Sequence, residues 1–488
     1  MTCEKISKAI DIADNRELFL DDYLINELKG ASLKLHIKNL DTDNGMQQLK
    51  FSGFAAREIG YGYPTIIRDN GLFKLYYRGY TEGWSGDPAE TYCYAYSKDG
   101  VNFFKPSLEL YEVEGSKMNN VFWAEICHFA HNFSPFIDKR PGVSKDERFK
   151  ALAGHKRGGG LKAFVSADGI NWKAMHDECV IPTPSYSAHG FDSQNVAFWS
   201  ESENCYVAYY RTWKKDTEGV PLDEPGYGCR WISRSTSEDF IHWTEAEEIV
   251  PANGLYEQLY TSQTAPYFRA PHMYISLATR FVPAEENNRL TPNTTDIALM
   301  TSRGGKVYQR QFMESFIRPG LNKKRWTNRS NYAGLNIVEA DSEHMAIIMT
   351  DNQHQLWRVL LRTDGIASLN AGYFGGEMIT KPFTFKGNNL DLNFATSSVG
   401  EVRAELQDEN GKVIEGFSLA DCKVMYGDKI SAPVTWSKGE NESDLTKLNG
   451  KAVRLRFVLK DADIFSFRFQ EKKILKLDTA KYIKQKTQ

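Results

Sequence analysis

Short runs of alternating apolar and polar residues fill the first three quarters of the chain, and one kind of turn recurs between them. The fullest copy is Ser166–Trp172, in which an Asp-Gly pair follows a serine and an aromatic residue stands six positions after that serine. Related copies begin at Ser97, Ser237 and Ser302, 65 to 71 residues apart, and a degenerate fifth lies at Arg362–Ile366. Asp-Gly between alternating runs indicates a β-hairpin. A hairpin at this long, regular period is typical of repeated four-stranded sheets, so five copies predict an all-β chain that begins with a five-bladed β-propeller.

The period ends near Tyr373, where the pattern predicts a second domain. Alternating segments at 390–395, 399–407, 453–459 and 465–469 indicate an antiparallel β-sandwich. The predicted boundaries are residues 1–372 for the propeller with its N-terminal strands, 373–471 for the sandwich, and 472–488 for a basic tail.

Composition narrows the functional classes. The chain has 488 residues, 41% of them hydrophobic and 25% charged, with a formal net charge of −3, which speaks against disorder and against a nucleic-acid partner. No apolar run reaches the roughly 18 residues that a membrane span needs. The seven cysteines form no CxxC pair, and no phosphate-binding loop, dinucleotide fingerprint or GxSxG turn is present. We therefore expect no cofactor.

The start of the chain bears on location. Residues 1–15 are too polar for a signal peptide. The expectation is a cytoplasmic protein or, if the sequence is a trimmed mature form, a periplasmic or secreted one.

Propeller geometry restricts where a site is expected. Neighbouring strands of a blade are antiparallel, so residues just before the first strand and just after the second share one face. Blade by blade, these are 58–63 with Arg78, His131 and Asn132 with His155, 189–192 with Arg211, 257–261 with Arg280, and 329–331 with Asp351.

Three carboxylates on this face are the predicted catalytic residues. Glycoside cleavage needs one ionised carboxyl as base or nucleophile and one protonated carboxyl as acid. Asp192 is assigned the first role, with Glu257 or Glu58 as the acid. The alternative for Asp192 is a cap on its own turn, and for the two glutamates an exposed or salt-bridged carboxylate.

Seven further residues are predicted to bind substrate. Arginines around a funnel bind carboxylate or sulfate groups in a bidentate manner, which indicates an acidic glycan. The alternative is that they form salt bridges with Glu58, Asp192 and Glu257. Histidines on loops are more often hydrogen-bonding groups than ligands, so no metal is predicted for His128, His131 and His155. The predicted binding residues are His131, Asn132, His189, Arg78, Arg211, Arg280 and Arg329.

Several stretches carry a resemblance to a known group. They are Leu18–Ile25, the Ser166–Trp172 repeat, Phe191–Asn195, Val453–Phe457 and Asp461–Phe467. In these the chain resembles bacterial glycosidases that join a five-bladed β-propeller to a C-terminal β-sandwich, related in architecture to the invertase/levanase and arabinanase/xylosidase families. The Trp-Met-Asn-Asp-Pro-Asn, Arg-Asp-Pro and Glu-Cys motifs of the invertase relatives are absent, so the resemblance implies neither a sugar nor a stereochemical outcome.

The sequence thus predicts a glycoside hydrolase acting on a glycan in the propeller funnel, with a carbohydrate as its partner. Two other classes stay open. A non-catalytic glycan-binding propeller would hold sugar with the same arginines and aromatic residues, and its carboxylates would be isolated and salt-bridged. A protein-interaction scaffold would present an exposed apolar patch.

Overall fold

The computed structural model describes residues 9–40, 45–55, 58–81, 90–124, 131–185, 187, 190–214, 228–283, 293–327, 330–351, 353–436 and 444–471. Across these ranges the regular structure is β-strand with four short 3-10 helices and no α-helix. The 3-10 helices are Lys145–Glu147, Lys156–Gly158, Lys323–Arg325 and Thr446–Leu448.

The chain divides into two compact units. One is Leu35–Ile366, and the other combines the residues before Leu35 with those after Ile366. This differs from the predicted boundaries, which placed the N-terminal strands with the propeller. The physical reason is strand pairing: Arg16–Leu18 pairs with Val453–Gln470, and Ile25–Lys29 pairs with Gly376–Thr380.

Residues 35–366 form a five-bladed β-propeller, as predicted. Blade 1 contains Glu58–Asp69, Leu72–Thr81, Glu90–Ser97, Asn102–Lys105, Lys50–Gly53 and Val121–Trp123. Blade 2 contains Ser134–Ile137, Phe149–His155, Gly160–Ser166, Lys173–Ala174 and Ile181–Pro182. Blade 3 contains Val196–Ser200, Cys205–Lys214, Cys229–Ser237 and Glu247–Glu248. Blade 4 contains Leu259–Thr261, Thr264–Tyr267, Ala270–Val282, Thr294–Ser302, Ser315–Arg318 and Lys38–Asn39. Blade 5 contains Tyr332–Ala333, Val338–Glu339, His344–Thr350, Leu356–Arg362 and Met46–Gln48. A small parallel pair, Val250–Pro251 with Val307–Tyr308, stands beside blades 3 and 4.

The repeated turns have the predicted hairpin geometry. In blade 2 the Asp168 carboxylate accepts hydrogen bonds from the backbone N–H groups of Ile170 and Asn171, each 2.8 Å long. The Ser166 hydroxyl accepts one from Gly169 N, at 2.9 Å. Gly169 has a φ of +82°, the left-handed conformation that glycine adopts without strain. The turns at Asp99 and Asp239 repeat these bonds, and in the latter Phe240 takes the glycine's place at φ +70°.

Each repeated turn also contacts the preceding blade. The carbonyl oxygen of Asp168 accepts a hydrogen bond from Lys74 of blade 1, and Asp364 in the blade 5 turn pairs with Tyr267 and Arg269 of blade 4. The blade 1 turn contacts blade 5, since Arg358 donates to the carbonyl oxygen of Asp99 at 3.0 Å. The repeat therefore serves both to turn the chain and to join neighbouring blades into a closed ring.

A single segment supplies the outer strands of three successive blades. Lys38–Asn39 pairs with blade 4, Met46–Gln48 with blade 5 and Lys50–Gly53 with blade 1. The segment crosses the seam between the first and last blades, so it supports the closure of the ring.

The buried side chains of two glutamines connect four of the five blades through hydrogen bonds. Gln194 donates to the Thr65 hydroxyl at 2.8 Å and accepts from Gln263 at 2.7 Å. Gln263 also donates to the Ala333 carbonyl oxygen, at 2.8 Å. Buried polar groups that are hydrogen-bonded in this way hold a unique arrangement. These hydrogen bonds hold the inner strands of the four blades together below the cavity described next.

The second unit is antiparallel β-structure around its own core. Its strands are Ile10–Asp11, Arg16–Leu18, Ile25–Lys29, Ala31–Leu35, Ala367–Ala371, Gly376–Thr380, Phe383–Thr384, Asn389–Asp408, Asp428–Pro433 and Val453–Gln470. One pair, Ile10–Asp11 with Phe383–Thr384, is parallel. The long strands Asn389–Asp408 and Val453–Gln470 pair along their lengths, and their buried residues, such as Leu392, Leu455 and Phe467, form the core.

Candidate active site

A cavity of about 300 Å³ lies at the chain-entry ends of the inner strands, and all five blades line it. Its wall consists of Tyr61, Gly62, Tyr63, Arg78, Glu90, His131, Asp192, Tyr260, Tyr332, Thr350, Asp351 and His354. This is the face where the sequence predicted a site. A second cavity of about 310 Å³, at the other ends of the inner strands, is lined mainly by apolar side chains such as Phe136, Phe198 and Trp199. The first cavity differs in that histidines and tyrosines stand beside its carboxylates.

Three side chains of the cavity wall and Asn132 behind them form a closed hydrogen-bonded ring. The Glu90 carboxylate contacts Arg78 at 3.0 Å with one oxygen and His131 Nδ1 at 2.9 Å with the other. Asn132 completes the ring, because its oxygen accepts from Arg78 at 3.0 Å and its amide nitrogen lies 2.7 Å from His131 Nε2. Although burial acts to raise the pKa of Glu90, Arg78 and His131 hold it below its ordinary value. Glu90 is therefore an ionised residue that orients its partners.

Asp192 differs from the other cavity carboxylates. It stands at the centre of a three-residue turn closed by the hydrogen bond from Ser193 N to the Phe191 carbonyl oxygen, 2.8 Å long. The Asn195 amide braces this turn with bonds to the carbonyl oxygens of Phe191 and Ser193, at 3.1 and 3.0 Å. Within the described residues, no donor is hydrogen-bonded to the Asp192 carboxylate itself. Its side chain is half-buried, so it faces the cavity as an available acceptor.

Arg211 lies behind Asp192 rather than in the cavity. It is fully buried, donates to the Tyr260 carbonyl oxygen at 2.9 Å, and its guanidinium stands over the Tyr260 ring at 4.7 Å. Burial lowers the pKa of Arg211, and the negative charge of Asp192 opposes that shift. Arg211 also donates to the Asp192 carbonyl oxygen at 3.5 Å, so it supports the position of Asp192, and it is too deeply buried to reach a ligand in this arrangement.

Asp351 and several tyrosine rings form much of the remaining wall. Asp351 caps its own loop, accepting from Gln353 N and Gln355 N at 2.9 and 3.0 Å and from the Trp357 indole at 2.8 Å. The rings of Tyr63 and Tyr260 each meet Tyr332 edge to face, with centroids 5.9 and 5.4 Å apart. Burial raises the pKa of Tyr63 well above its usual value, so its hydroxyl stays protonated.

Glu257 is not among the cavity-lining residues, contrary to the location that its predicted acid role requires. It accepts from Arg280 at 2.8 Å and from Arg310 at 3.0 and 2.6 Å. Arg280 is in turn bidentate to Asp296, at 2.9 and 2.7 Å. Although burial acts to lower the pKa of Arg280, its bonds to Asp296 and Glu257 raise it. Two guanidiniums therefore hold both oxygens of the Glu257 carboxylate in salt bridges away from the cavity. The salt-bridged alternative describes both Glu257 and Arg280.

Three predicted residues lie wholly or partly outside the part of the chain that the structure describes. Glu58 begins the strand whose Tyr61 and Tyr63 line the cavity, but its side chain lies outside the described part. His189 and Arg329 also lie outside the described residues. The predicted roles of all three stay predictions.

Among the predicted residues, the structure brings Arg78, His131 and Asp192 together in the cavity wall, with Asn132 hydrogen-bonded to two of them. The sequence did not predict Glu90, because the strand-end rule covers only the residues before strand one and after strand two of each blade. Glu90 begins strand three of blade 1, which starts at the same face. Extending the strand-end rule to the third strand of each blade would have found it.

Two histidines and Asp192 also form a cluster. The potential ligand atoms of His131, His155 and Asp192 all lie within 4.8 Å of one another. The rings of His131 and His155 are 4.8 Å apart between centroids.

No family model matches the chain, and no curated protein matches it. Among solved structures, it is similar to a glycoside hydrolase family 43 arabinoxylan arabinofuranohydrolase from Bacillus subtilis, with a TM-score of 0.42 and 12% identity over 85% of this chain and 96% of that one. It is also similar to a glycosyl hydrolase from Bacteroides ovatus, with a TM-score of 0.41 and 13% identity over 71% of this chain and 97% of that one. At these identities and TM-scores, the functions of the matched proteins do not extend to this chain. In the described part of the chain no helix is long and apolar enough to cross a membrane.

Proposed function

We propose that the protein is a glycoside hydrolase whose substrate binds in the propeller cavity and whose base or nucleophile is Asp192. The observation that carries the proposal is the Asp192 carboxylate, which faces a concave, aromatic-walled cavity on a braced turn with no donor hydrogen-bonded to it in the described residues. A carboxylate already held by donors, such as that of Asp351, has less capacity to accept a proton or to attack a sugar carbon.

The rest of the wall suits a sugar. Tyrosine rings present an apolar face to the C–H groups of a pyranose or furanose, and their hydroxyl groups bond to its polar edge. Tyr61, Tyr63, Tyr260 and Tyr332 supply both in one cavity. A volume of about 300 Å³ falls at the lower end of ordinary ligand pockets, which suits one or two sugar rings.

The charge of the cavity favours a neutral glycan over the acidic one predicted from the arginines. In the described wall, Arg78 is the one arginine, and Glu90 already pairs with it. Arg211 is buried, and Arg280 pairs with Glu257 and Asp296. The carboxylates of Glu90, Asp192 and Asp351 outnumber the single guanidinium, so an anionic sugar would meet net repulsion.

The acid partner is proposed to be Glu58. Its strand leads directly into Tyr61 and Tyr63 in the cavity wall, and the cavity carboxylates other than Asp192 are held by donors. Hydrolysis of a glycosidic bond requires such a second carboxyl in addition to the base or nucleophile.

The test is a panel of neutral and uronate-containing oligosaccharides incubated with purified protein, with reducing-end products detected by chromatography. We expect products from at least one neutral glycan and their loss in Glu58→Gln. A protein that binds such a glycan without releasing product would instead be the glycan-binding propeller. Cleavage of uronate-containing glycans alone would contradict the charge argument.

A further inference from the structure

We propose that the cavity holds a divalent transition-metal ion on His131, His155 and Asp192. The inference goes beyond the hydrolase proposal, since it concerns an ion site and not a sugar-cleaving step. The potential ligand atoms of the three residues all lie within 4.8 Å of one another. Ligand atoms about 2.0–2.2 Å from a common ion stand roughly 3–4 Å apart. A small closure of these side chains would bring them to that spacing.

The donor set indicates the class of ion. Two imidazoles and one carboxylate are borderline ligands that suit Zn²⁺, Co²⁺, Fe²⁺ or Mn²⁺, whereas Ca²⁺ and Mg²⁺ prefer sets built of oxygen. Three protein ligands leave further coordination positions for water or a sugar hydroxyl. Charge agrees with the donor set, because the described cavity wall carries more carboxylates than cations.

A second, independent observation concerns the support of His131. Metal-binding histidines usually donate their other ring N–H to a carboxylate, which fixes the tautomer and raises the basicity of the ligating nitrogen. Glu90 contacts His131 Nδ1 at 2.9 Å, and Arg78 fixes Glu90 from its other oxygen at 3.0 Å. The contact assigns the Nδ1 proton and leaves Nε2 as the nitrogen with the lone pair.

Asn132 controls access to that lone pair. Its amide nitrogen lies 2.7 Å from His131 Nε2, so binding of an ion requires this amide to move aside. Asn132 has a φ of +54°, an uncommon conformation for a residue other than glycine. The ion would take the place of a hydrogen bond, and it would occupy the Asp192 carboxylate in competition with a substrate.

The test uses full-length protein stripped with a chelator and titrated with Co²⁺ alone, followed by visible absorption and calorimetry, with Zn²⁺ and Ca²⁺ as competitors. We expect one equivalent of Co²⁺ with ligand-field bands, displaced by Zn²⁺ and not by Ca²⁺. His155→Ala and Asp192→Asn should each weaken binding at least about 100-fold. Glu90→Gln, which alters the residue that positions His131, should weaken it roughly 10–100-fold and shift the Co²⁺ bands.

His242→Ala is the matched control. His242 is an exposed histidine beside the Asp239 carboxylate, at 2.6 Å, and belongs to no three-residue cluster in the described chain. Its variant should bind Co²⁺ as the parent does. Absence of stoichiometric binding at micromolar Co²⁺, equal binding by a folded His155→Ala, or displacement by Ca²⁺ would overturn the inference. Because binding is measured without glycan, failure of the metal site leaves the hydrolase proposal intact, and failure to find a substrate leaves the metal site intact.

Discussion

At the scale of single residues, the function of a cavity carboxylate is decided by what already holds it. Glu90 has Arg78 and His131, Asp351 has three donors, and Asp192 has none among the described residues although it stands on a braced turn. All three are acidic groups near a strand end. Their chemical capacities differ because hydrogen bonds and charges commit two of them to structural contacts.

Glu257→Gln separates the structural role of Glu257 from its predicted catalytic one. The change removes the charge that faces Arg280 and Arg310, so we expect a loss of about 1–3 kcal/mol in the free energy of unfolding, measured with denaturant. Turnover of a confirmed substrate should stay within a few-fold of the parent, because Glu257 does not line the cavity. A loss of turnover above 100-fold in a folded variant would restore the acid role.

At the scale of elements, the repeated turn explains why the sequence repeats at all. Its serine and aspartate satisfy the backbone N–H groups of the turn, and its outer surface contacts the preceding blade. A chain that must make the same contact in each blade keeps the same short motif there.

The Asp168 turn should carry a pH-dependent share of the stability. Burial acts to raise the pKa of Asp168, but hydrogen bonds from Asn171 and Ile170 lower it below its ordinary value of 3.8. A carboxyl group whose pKa is lowered by folding stabilises the fold at pH values above its unfolded-state pKa. That contribution is lost as pH falls through the folded-state pKa.

We expect Asp168→Ala to lower the free energy of unfolding by about 0.5–2 kcal/mol at pH 7, at the lower end because the group is well exposed to solvent. Denaturation at several pH values should show the gap between parent and variant narrowing below about pH 4. A gap that is constant from pH 7 to pH 3 would contradict the assignment.

The aromatic position of the repeat should matter according to its burial. Phe103 is 1% exposed in the cluster that joins blades 1 and 5, whereas Trp172 is half-buried against Phe122 and Phe133. Phe103→Ala should cost about 3–5 kcal/mol, and Trp172→Ala about half of that. Thermal or chemical denaturation of the two variants tests the order, and a larger cost for Trp172→Ala would show that burial does not govern this position.

At the scale of the whole molecule, we expect ring closure to depend on Lys38–Asn39, Met46–Gln48 and Lys50–Gly53, which supply outer strands to three blades. Gln47→Pro removes a backbone donor and fixes φ in the strand that pairs with Trp357 and Arg358. We expect a loss on the order of 3 kcal/mol in the free energy of unfolding, with Gln47→Ala as the matched control. Equal stability of the two variants would show that this strand does not support closure.

The sequence predicts the fold well because the propeller is a local repeat. The Asp-Gly turn and the alternating pattern of each strand can both be recognised from neighbouring residues. The number of blades therefore follows from counting the turns. The N-terminal strands are different, since Arg16–Leu18 pairs with residues more than four hundred positions away. A pattern within neighbouring residues cannot predict which distant strand is the partner.

From the sequence, only the face of the propeller on which the cavity lies could be predicted, and not the contacts within it. The strand-end rule places Asp192, Arg78 and His131 correctly at the cavity, because it rests on strand direction. It could not tell that Arg280 and Arg310 hold Glu257, or that Glu90 holds Arg78 and His131, because side-chain partners from different strands are set by packing.

Asp192→Asn is the measurement that tests the central claim most directly. The substitution keeps the shape of the side chain and removes its charge, so binding of the glycan identified in the oligosaccharide panel, measured by calorimetry, should stay within a few-fold of the parent. Turnover of the same glycan should fall by at least about 1,000-fold, since the base or nucleophile is gone. Turnover that stays within ten-fold of the parent, in a variant that binds the glycan and melts like the parent, would contradict the account.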